Sequence, residues 1–179
     1  MIYLIADLHF GHKNLMNILK THDQLHMRGN CETMEDHEEW LIGQWNSRVT
    51  KHDTVYVLGD AVFNKKALKN IARLRGNKIL LRGNHDKVST EALLTVFGSV
   101  IGFQKKFGMW LSHAPIHPAS LRGLVNIHGH THAGIVWKHG TEEPDERYIN
   151  VSVEQLNGVP MSLDEAEALK PILDEIKRL

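Results

Sequence analysis

The 179-residue chain suits one domain with a substantial core, and its 42% hydrophobic and 23% charged residues are typical of a globular protein. No apolar run reaches the roughly 20 residues that a membrane span needs, so we expect no membrane partner. A formal net charge of zero excludes the basic character that drives general nucleic-acid binding.

The amino-terminal run from Ile2 to Ala6 is predicted to be the first strand, because it is apolar, lacks a basic leader and is too short for a signal peptide. The single cysteine, Cys31, cannot form a disulfide within the chain, so the fold needs no oxidising compartment. We therefore expect a cytoplasmic protein.

Short apolar runs rich in β-branched residues, each bounded by Gly, Asn or Asp, predict five buried strands. In chain order they cover residues 2–6, 54–58, 78–81, 109–111 and 124–127. Several strands are separated by helical stretches, and the chain contains no linker or repeat. We therefore predict a mixed α/β fold in a single domain over residues 1–179.

Apolar residues at helical spacing predict a first clear helix from Thr33, its N-cap, to about Val49. A second helix is predicted around residues 67–74. Near the carboxyl end, Ser162 opens a third helix in a capping-box pattern, and Pro171 is expected to kink it or to begin another. The four tryptophans are predicted to be core residues rather than a platform for stacking bases. They are Trp40, Trp45, Trp110 and Trp137.

Nearly every predicted strand ends in a cluster of Asp, His or Asn rather than in ordinary turn residues. The clusters are Asp7-Leu8-His9, Gly59-Asp60, Gly83-Asn84-His85-Asp86, Ser112-His113 and His128-Gly129-His130-Thr131-His132. Groups just past the carboxyl ends of strands line the ligand crevice of an α/β sheet, so we expect these side chains to converge. Oxygen and nitrogen ligands without a thiolate favour manganese, iron, zinc, cobalt or nickel. Their number suits two ions.

Each cluster also has an ordinary interpretation when it is taken alone. One Asp-x-His or Gly-Asp pair is more often a turn or a helix cap, and a lone histidine such as His113 is often a hydrogen-bonded structural residue. Five clusters in one chain favour a metal site instead. The role of His128 is left open between a structural histidine and one that supports the ligands.

The order DxH, GD, GNHD, a lone His and GHTH resembles the calcineurin-like metallophosphoesterases, and the resemblance spans Asp7 to His132. It is strongest with small bacterial, archaeal and viral members, through residues 7–14 and 55–60. The resemblance implies a calcineurin-like metallophosphoesterase sandwich, in which two mixed β-sheets are flanked by helices on both outer faces.

The resemblance also implies a centre of two divalent ions. One ion would be held by Asp7, His9, Asp60 and His132, and the other by Asp60, Asn84, His113 and His130. Asp60 would bridge the two ions. Manganese is our first candidate, with iron, zinc, nickel and cobalt open. With only two carboxylates among the ligands, the loaded site stays cationic and attracts a phosphate ester.

The implied reaction is hydrolysis of a phosphate ester by a hydroxide that bridges the two ions. We predict that His85 protonates the departing oxygen or stabilises its developing charge, as the resemblance also implies, and that Asp86 orients the His85 imidazole. Loop residues near the motifs are candidates for substrate contacts. They are His12, Asn14, Arg28, His117 and Arg122.

The motifs do not choose among phosphate-ester substrates. No large insertion is available to cover the site, so we expect an open cleft and favour phosphodiester hydrolysis of small or nucleotide substrates. Two alternatives stay open. One is a phosphomonoesterase, including a protein phosphatase, and the other is a non-catalytic metal-binding scaffold. The second is disfavoured, because every motif residue is present.

Overall fold

The architecture is known from a computed structural model, which describes residues 1–170. Nine strands form within this range: β1 Ile2–Ile5, β2 Thr54–Val57, β3 Asn77–Leu81, β4 Ser99–Ile101, β5 Gln104–Lys106, β6 Met109–Leu111, β7 Asn126–His128, β8 Tyr148–Asn150 and β9 Met161–Ser162. The helices are α1 Leu15–Thr21, α2 Met34–Arg48, α3 Leu68–Ile71, α4 Thr90–Leu93, α5 Pro118–Leu121, α6 Val153–Leu156 and α7 Leu163–Ala168, with 3-10 helices at Leu25–Arg28 and Lys65–Ala67.

The strands form two mixed sheets. The first has the order β4-β3-β2-β1-β9, in which β9 is antiparallel to β1 and the other neighbours are parallel. The second has the order β5-β6-β7-β8, in which β5 is antiparallel to β6 and the other neighbours are parallel. The predicted mixed α/β sandwich of two mixed sheets is confirmed.

Alternate residues of the first sheet enter two different cores. On β1, Tyr3 and Ile5 pack with apolar residues of helices α2, α3 and α4. Leu4 lies on the opposite face and packs with residues of the second sheet, including Leu111 and Ile127. The period of two along a strand therefore places one face of the first sheet against helices and the other against the second sheet.

All five predicted strands are present, and their bounds differ from the prediction by at most two residues. The prediction missed β4, β5, β8 and β9, which are short. Strand β5 is polar and largely exposed, so its sequence lacks the apolar alternation that marks a half-buried strand. The two sheets therefore extend beyond the buried strands that apolar runs reveal.

Two of the predicted helix signals are confirmed in detail. The Thr33 side chain accepts a hydrogen bond from the backbone of Asp36 at the start of α2, and Ser162 forms a full capping box with Glu165 at the start of α7. The helix predicted around residues 67–74 is shorter, since a 3-10 turn leads into α3, which ends at Ile71. Pro171 lies outside the described residues.

The expectation for the tryptophans is wrong at one position. Trp45 is fully buried, and Trp40 and Trp110 are partly buried, but Trp137 is 51% exposed. Trp137 lies on the loop before β8, where an isolated bridge to Pro144 places it outside the layers of the sandwich. Among residues 1–170, no helix is long and apolar enough to cross a membrane.

The topology brings the polar clusters to one edge. Strands β1, β2 and β3 are parallel neighbours, and so are β6 and β7 in the facing sheet. The carboxyl ends of parallel neighbours meet, so the segments that follow these strands lie beside one another.

Candidate metal centre

Two groups of three side chains converge at this edge. In each group, the donor atoms lie within 4.8 Å of one another. The first group consists of Asp7, His9 and His132, and the second of Asp60, His113 and His130. The first follows β1 and β7, whereas the second follows β2, β6 and β7. All six residues are among the predicted metal ligands, and Asp60 falls in the second group alone.

Five of these six residues have a left-handed backbone. Their φ angles are 59° at Asp7, 55° at His9, 50° at Asp60, 69° at His130 and 53° at His132. Positive φ is uncommon outside glycine, costs on the order of 1 kcal/mol per residue or more, and concentrates at functional sites. Here it ends the extended conformation abruptly and allows closely spaced residues to project side chains into the same crevice.

Glycines beside the ligands provide the space that the cluster needs. A Cβ atom on Gly129 would lie 2.4 Å from Oδ2 of Asp7, and one on Gly83 would lie 2.3 Å from Oδ1 of Asp60. A Cβ atom on Gly59 would lie 2.3 Å from Nδ1 of His113. Any side chain at these positions would displace a ligand.

The two carboxylate oxygens of Asp7 differ in their hydrogen bonding. Oδ2 accepts hydrogen bonds of 2.8 Å from the backbone N–H of His130 and from the hydroxyl of Ser152. Within residues 1–170, neither Oδ1 nor Nε2 of His9, 3.8 Å away, has a hydrogen-bond partner, and both atoms are buried. Unpartnered buried polar atoms cost about 1–3 kcal/mol each. A divalent cation satisfies both atoms, so this donor set fits a metal ion.

Asp60 lies between the two groups. Its Oδ1 accepts a hydrogen bond of 2.8 Å from the backbone N–H of His85. Its Oδ2 lies 3.8 Å from Nε2 of His9 and 3.4 Å from Nε2 of His113. The carboxylate therefore offers one oxygen to both groups, which suits the bridging role.

The second group is completed by an amide. Nδ1 of His113 donates to the carbonyl of Leu58 at 2.9 Å, which leaves Nε2 as the free nitrogen. That Nε2 lies 2.8 Å from Oδ1 of Asn84 and 3.2 Å from Nδ1 of His130. Asn84 therefore lies beside the second group, where the resemblance places it.

The protonation states of His9, Asp60 and Asp7 favour metal binding. Burial lowers the pKa of His9 to about 4, so its imidazole is neutral near pH 7. Burial raises the pKa of Asp60, but the His113 imidazole 3.4 Å away and a hydrogen bond from the His85 backbone outweigh it and hold this pKa at about 2. Burial likewise opposes ionisation of Asp7, yet His9 and His132 keep its pKa below the usual value. Both carboxylates are therefore ionised.

His132 makes a contact that the sequence did not suggest. Its Nδ1 donates to Oε1 of Glu154 at 2.9 Å. Burial would lower the pKa of His132, but this carboxylate raises it. Glu154 lies on α6, 22 residues beyond the last motif residue, and its side chain is 2% exposed.

The candidate proton donor lies at the margin of the first group. The imidazole of His85 stacks on the ring of Phe63, with centroids 4.9 Å apart and an interplanar angle of 18°. His12 also stacks on Phe63, at 4.0 Å and 16°. The Nδ1 atoms of His12 and His9 lie 3.3 Å apart. His85 and His12 therefore border the centre, and Phe63 contacts both of them.

The role predicted for Asp86 is wrong. Its carboxylate accepts hydrogen bonds of 2.9–3.1 Å from the backbone of Ala61, Val62 and Gly83. Within residues 1–170 it makes no hydrogen bond to the imidazole of His85. Asp86 instead joins the loops that follow β2 and β3, because backbone N–H groups of both loops donate to its carboxylate.

Arg28 is also not a substrate contact. It is fully buried, pairs with Glu154, and donates to the carbonyl of Asp7 at 2.8 Å. The sequence placed Arg28 in a loop near the motifs, but could not show that a distant carboxylate binds its guanidinium inside the fold. No part of Arg28 is exposed to a ligand.

The other candidates for substrate contacts lie on the surface. Asn14 is exposed at the start of α1. His117 is the N-cap of α5 and accepts from the backbone of Ala119, and exposed Arg122 ends that helix. In the described part of the chain, none of the three contacts either ligand group, and their substrate roles stay predictions. His128 is buried and its Nδ1 donates to the carbonyl of Gly129, which is a structural contact.

Sequence reasoning missed three residues at the centre: Ser152, Glu154 and Phe63. Ser152 follows β8 and carries the same signal as the recognised clusters, namely polar residues at the end of a strand. That strand was not predicted, so Ser152 was not recognised as a polar residue at the end of a strand. No local pattern marks Glu154 or Phe63.

Comparisons with known proteins agree with this geometry. Residues 1–175 match the family described as calcineurin-like phosphoesterase. The chain is 32% identical to the uncharacterized protein MJ1445 of Methanocaldococcus jannaschii, over 91% of this chain and 87% of that protein. It is 30% identical to the gene 66 protein of Mycobacterium phage L5, over 75% of this chain and 78% of that protein. The crystal structure of the protein of unknown function AQ665 from Aquifex aeolicus superposes with a TM-score of 0.68 at 26% identity, covering 94% of this chain and 98% of that chain.

Proposed function

Because the chain belongs to the calcineurin-like phosphoesterase family of metal-dependent hydrolases, we propose that it hydrolyses phosphodiesters of small or nucleotide substrates. The observation that carries this proposal is the position of Asp60, whose Oδ2 faces both ligand groups at 3.8 Å and 3.4 Å. When bound, two divalent ions lower the pKa of water and polarise phosphoryl oxygens. We propose Mn²⁺ as the native ion.

The residues of the chain prepare the centre for this chemistry. Asp7, His9, Asp60 and His132 would hold one ion, and Asp60, Asn84, His113 and His130 the other. The backbone N–H groups of His130 and His85 each engage one carboxylate oxygen, so the second oxygen of Asp7 and of Asp60 would be available to bind an ion. This pre-organisation spares the ligands a rearrangement when ions bind.

His85 is the proposed proton donor. Its ring centroid lies 6.1 Å from that of His9, so it borders the centre without being one of the grouped ligands. We propose that His85 transfers a proton to the oxygen that leaves phosphorus. The stack on Phe63 would hold the imidazole at the edge from which the leaving group departs.

The burial of Arg28 favours a diester over a monoester. A phosphomonoester carries up to two negative charges near pH 7, whereas a diester carries one. Arg28, which sequence placed near the substrate, is buried against Glu154 and offers no positive charge to the extra oxygen. Asn84 and His130 are exposed, so the second group is open to solvent and would not exclude the second substituent of a diester.

The test is hydrolysis by metal-depleted protein re-supplied with Mn²⁺. An aryl phosphomonoester, an aryl phosphodiester, and linear and cyclic nucleotides would be assayed in parallel, with Asp60→Ala as the inactive control. We expect Mn²⁺-dependent cleavage that is faster for diesters or cyclic nucleotides. A preference for the monoester would make the protein a phosphatase. Two bound ions without turnover on any substrate would leave the scaffold interpretation.

A cytoplasmic location is also part of the proposal, because the single cysteine requires no oxidising compartment. Fractionation of cells that express the intact chain tests it, and recovery outside the cytoplasmic fraction would refute it.

A further inference from the structure

A buried ion pair lies behind the first ligand group. Arg28 is fully buried, and Glu154 has a 2% exposed side chain. Nε and Nη2 of the guanidinium lie 2.8 Å and 2.7 Å from Oε1 of Glu154. The two residues are 126 positions apart in the chain, and they meet where α6 packs on the 3-10 helix Leu25–Arg28.

This ion pair contacts two metal-ligand residues of the same group. Nη2 of Arg28 donates to the backbone carbonyl of Asp7 at 2.8 Å. Oε1 of Glu154 accepts from Nδ1 of His132 at 2.9 Å. One residue of the pair therefore restrains the backbone of one ligand, while the other restrains the imidazole of a second.

We propose that Glu154, held in place by Arg28, is a positioning residue that sets the metal affinity of the group Asp7–His9–His132 and not that of the second group. The proposal rests on the dinuclear metal centre of the proposed function. A hydrogen bond from Nδ1 to a carboxylate fixes the tautomer of His132, so that Nε2 carries the free lone pair. It also makes that nitrogen a stronger donor to a cation.

The second group has supports of its own, which makes the proposed effect selective. His113 is oriented by the carbonyl of Leu58 at 2.9 Å, and Asp60 is oriented by the backbone N–H of His85. Within residues 1–170, neither Arg28 nor Glu154 forms a hydrogen bond with a member of that group. Loss of Glu154 should therefore lower the metal affinity at one of the two positions.

The geometry of the pair fits positioning better than stability alone. An arginine and a carboxylate that bind only one another commonly use both oxygens in two parallel hydrogen bonds. Here Oε1 receives all three contacts, while Oε2 is buried without a partner in the described residues. Buried ion pairs add little net stability compared with apolar replacements. The arrangement instead presents one anionic oxygen to His132.

The experiment is titration of metal-depleted Glu154→Gln with MnCl₂ by calorimetry, alongside the wild-type chain. We expect two equivalents in the wild type, and in the variant one equivalent weakened about 10- to 100-fold with the other unchanged. The Mn²⁺ paramagnetic resonance spectrum supplies a second readout. At one added equivalent, the variant should show the signal of an isolated ion with no signal from a coupled pair.

Asp145→Asn is the matched control. It removes a buried carboxylate that pairs with Arg147 at 2.6 Å and contacts no ligand residue in the described structure. We expect both equivalents to bind with unchanged affinity in this control. If Glu154→Gln fails to fold, the double variant Arg28→Met/Glu154→Leu removes both charges together and should lose affinity at the same single position.

Unchanged binding of both equivalents in a folded Glu154 variant would overturn the proposal, and so would equal weakening of both. The outcome is separable from that of the proposed function. A wild type that binds two ions without turnover defeats the enzyme proposal and leaves the positioning role intact. A wild type that binds fewer than two ions defeats both.

Discussion

Oδ1 of Asp60 accepts a 2.8 Å hydrogen bond from the backbone N–H of His85. The loop that carries the proposed proton donor thus also orients the carboxylate that lies between the two ligand groups. The carboxylate of Asp60 and the backbone of His85 are therefore held together, although the two residues follow different strands. A change at either residue should have a separable effect, because the contact uses the backbone of His85 and leaves its imidazole free.

Replacement of the His85 imidazole should separate catalysis from metal binding. In His85→Ala the backbone bond to Asp60 remains, so we expect two bound ions and a kcat lowered about 10²- to 10⁴-fold. In Asp60→Ala the oxygen shared by both groups is lost, so both metal content and turnover should fall. Metal analysis after dialysis and steady-state kinetics measure the two effects.

His52→Ala is the control for that pair, since His52 lies exposed in the turn before β2. Its kinetics and metal content should equal those of the wild type. Unchanged turnover in His85→Ala would remove His85 from the mechanism.

Phe63 should affect turnover through the ring that it supports. In Phe63→Leu the stack on His85 is lost, and we expect kcat to fall about 3- to 10-fold with unchanged metal content, since such stacks contribute about 0.5–1.5 kcal/mol. Phe103→Leu is the matched control, because Phe103 stacks on Trp110 at 4.8 Å and 9° outside the centre. Equal kinetics of the two variants would contradict a role for Phe63 in placing His85.

Replacement of Gly129, the glycine of the GHTH motif, should weaken metal binding. In Gly129→Ala the new Cβ would lie 2.3 Å from Cβ of Ala6 and 2.4 Å from Oδ2 of Asp7, so Asp7 has to move. We expect a loss of about 1–3 kcal/mol in the free energy of unfolding and weaker binding of one ion. Chemical denaturation and metal titration check both.

Gly43 offers the opposite case for the same substitution. A Cβ there meets nothing within 4 Å, and the residue lies inside helix α2. Gly43→Ala should therefore raise the free energy of unfolding by about 0.5–1 kcal/mol and leave metal binding unchanged. If Gly43→Ala also lowered the free energy of unfolding, the loss of stability in Gly129→Ala could not be assigned to the clash of its Cβ with Asp7.

His37 should make stability depend on pH below neutrality. Burial lowers its pKa to about 3, and Nη1 of Arg28 lies 3.2 Å from its Nε2. The unfolded chain binds a proton at His37 near the ordinary value of 6.5, so the folded state binds fewer protons between pH 6.5 and 3. The stability that neutral His37 contributes is complete above pH 6.5 and is lost as pH falls towards 3.

His37→Gln removes this titration and keeps an acceptor for Arg28. Urea unfolding at several pH values should show a shallower fall in stability for the variant, with a difference on the order of a few kcal/mol near pH 3. His52→Gln, at an exposed position, should follow the wild type. Parallel curves for His37→Gln and the wild type would mean that His37 does not titrate as its burial requires.

Local sequence patterns predicted the buried strands and the longest helix. Apolar runs mark β1, β2, β3, β6 and β7 because most residues of these strands are buried. Edge strands such as β5 carry polar, exposed residues, and their backbone pairing depends on a neighbour that no local pattern reveals. For the same reason β8 was not predicted. Ser152, which follows β8 and whose hydroxyl contacts Asp7, was therefore missed.

By itself, the sequence determined which Asp, His and Asn residues meet at this edge: their kinds, their order, and the strands that they follow. A strand places its last residues at a predictable edge, so local patterns suffice for this. Only the tertiary structure decided which oxygen of Asp60 is free, that Asp86 joins two loops, and that Arg28 is buried against Glu154. Hydrogen bonds and ion pairs depend on distances in space, and residues 126 positions apart in the chain come within 2.8 Å only when the sheets and helices pack.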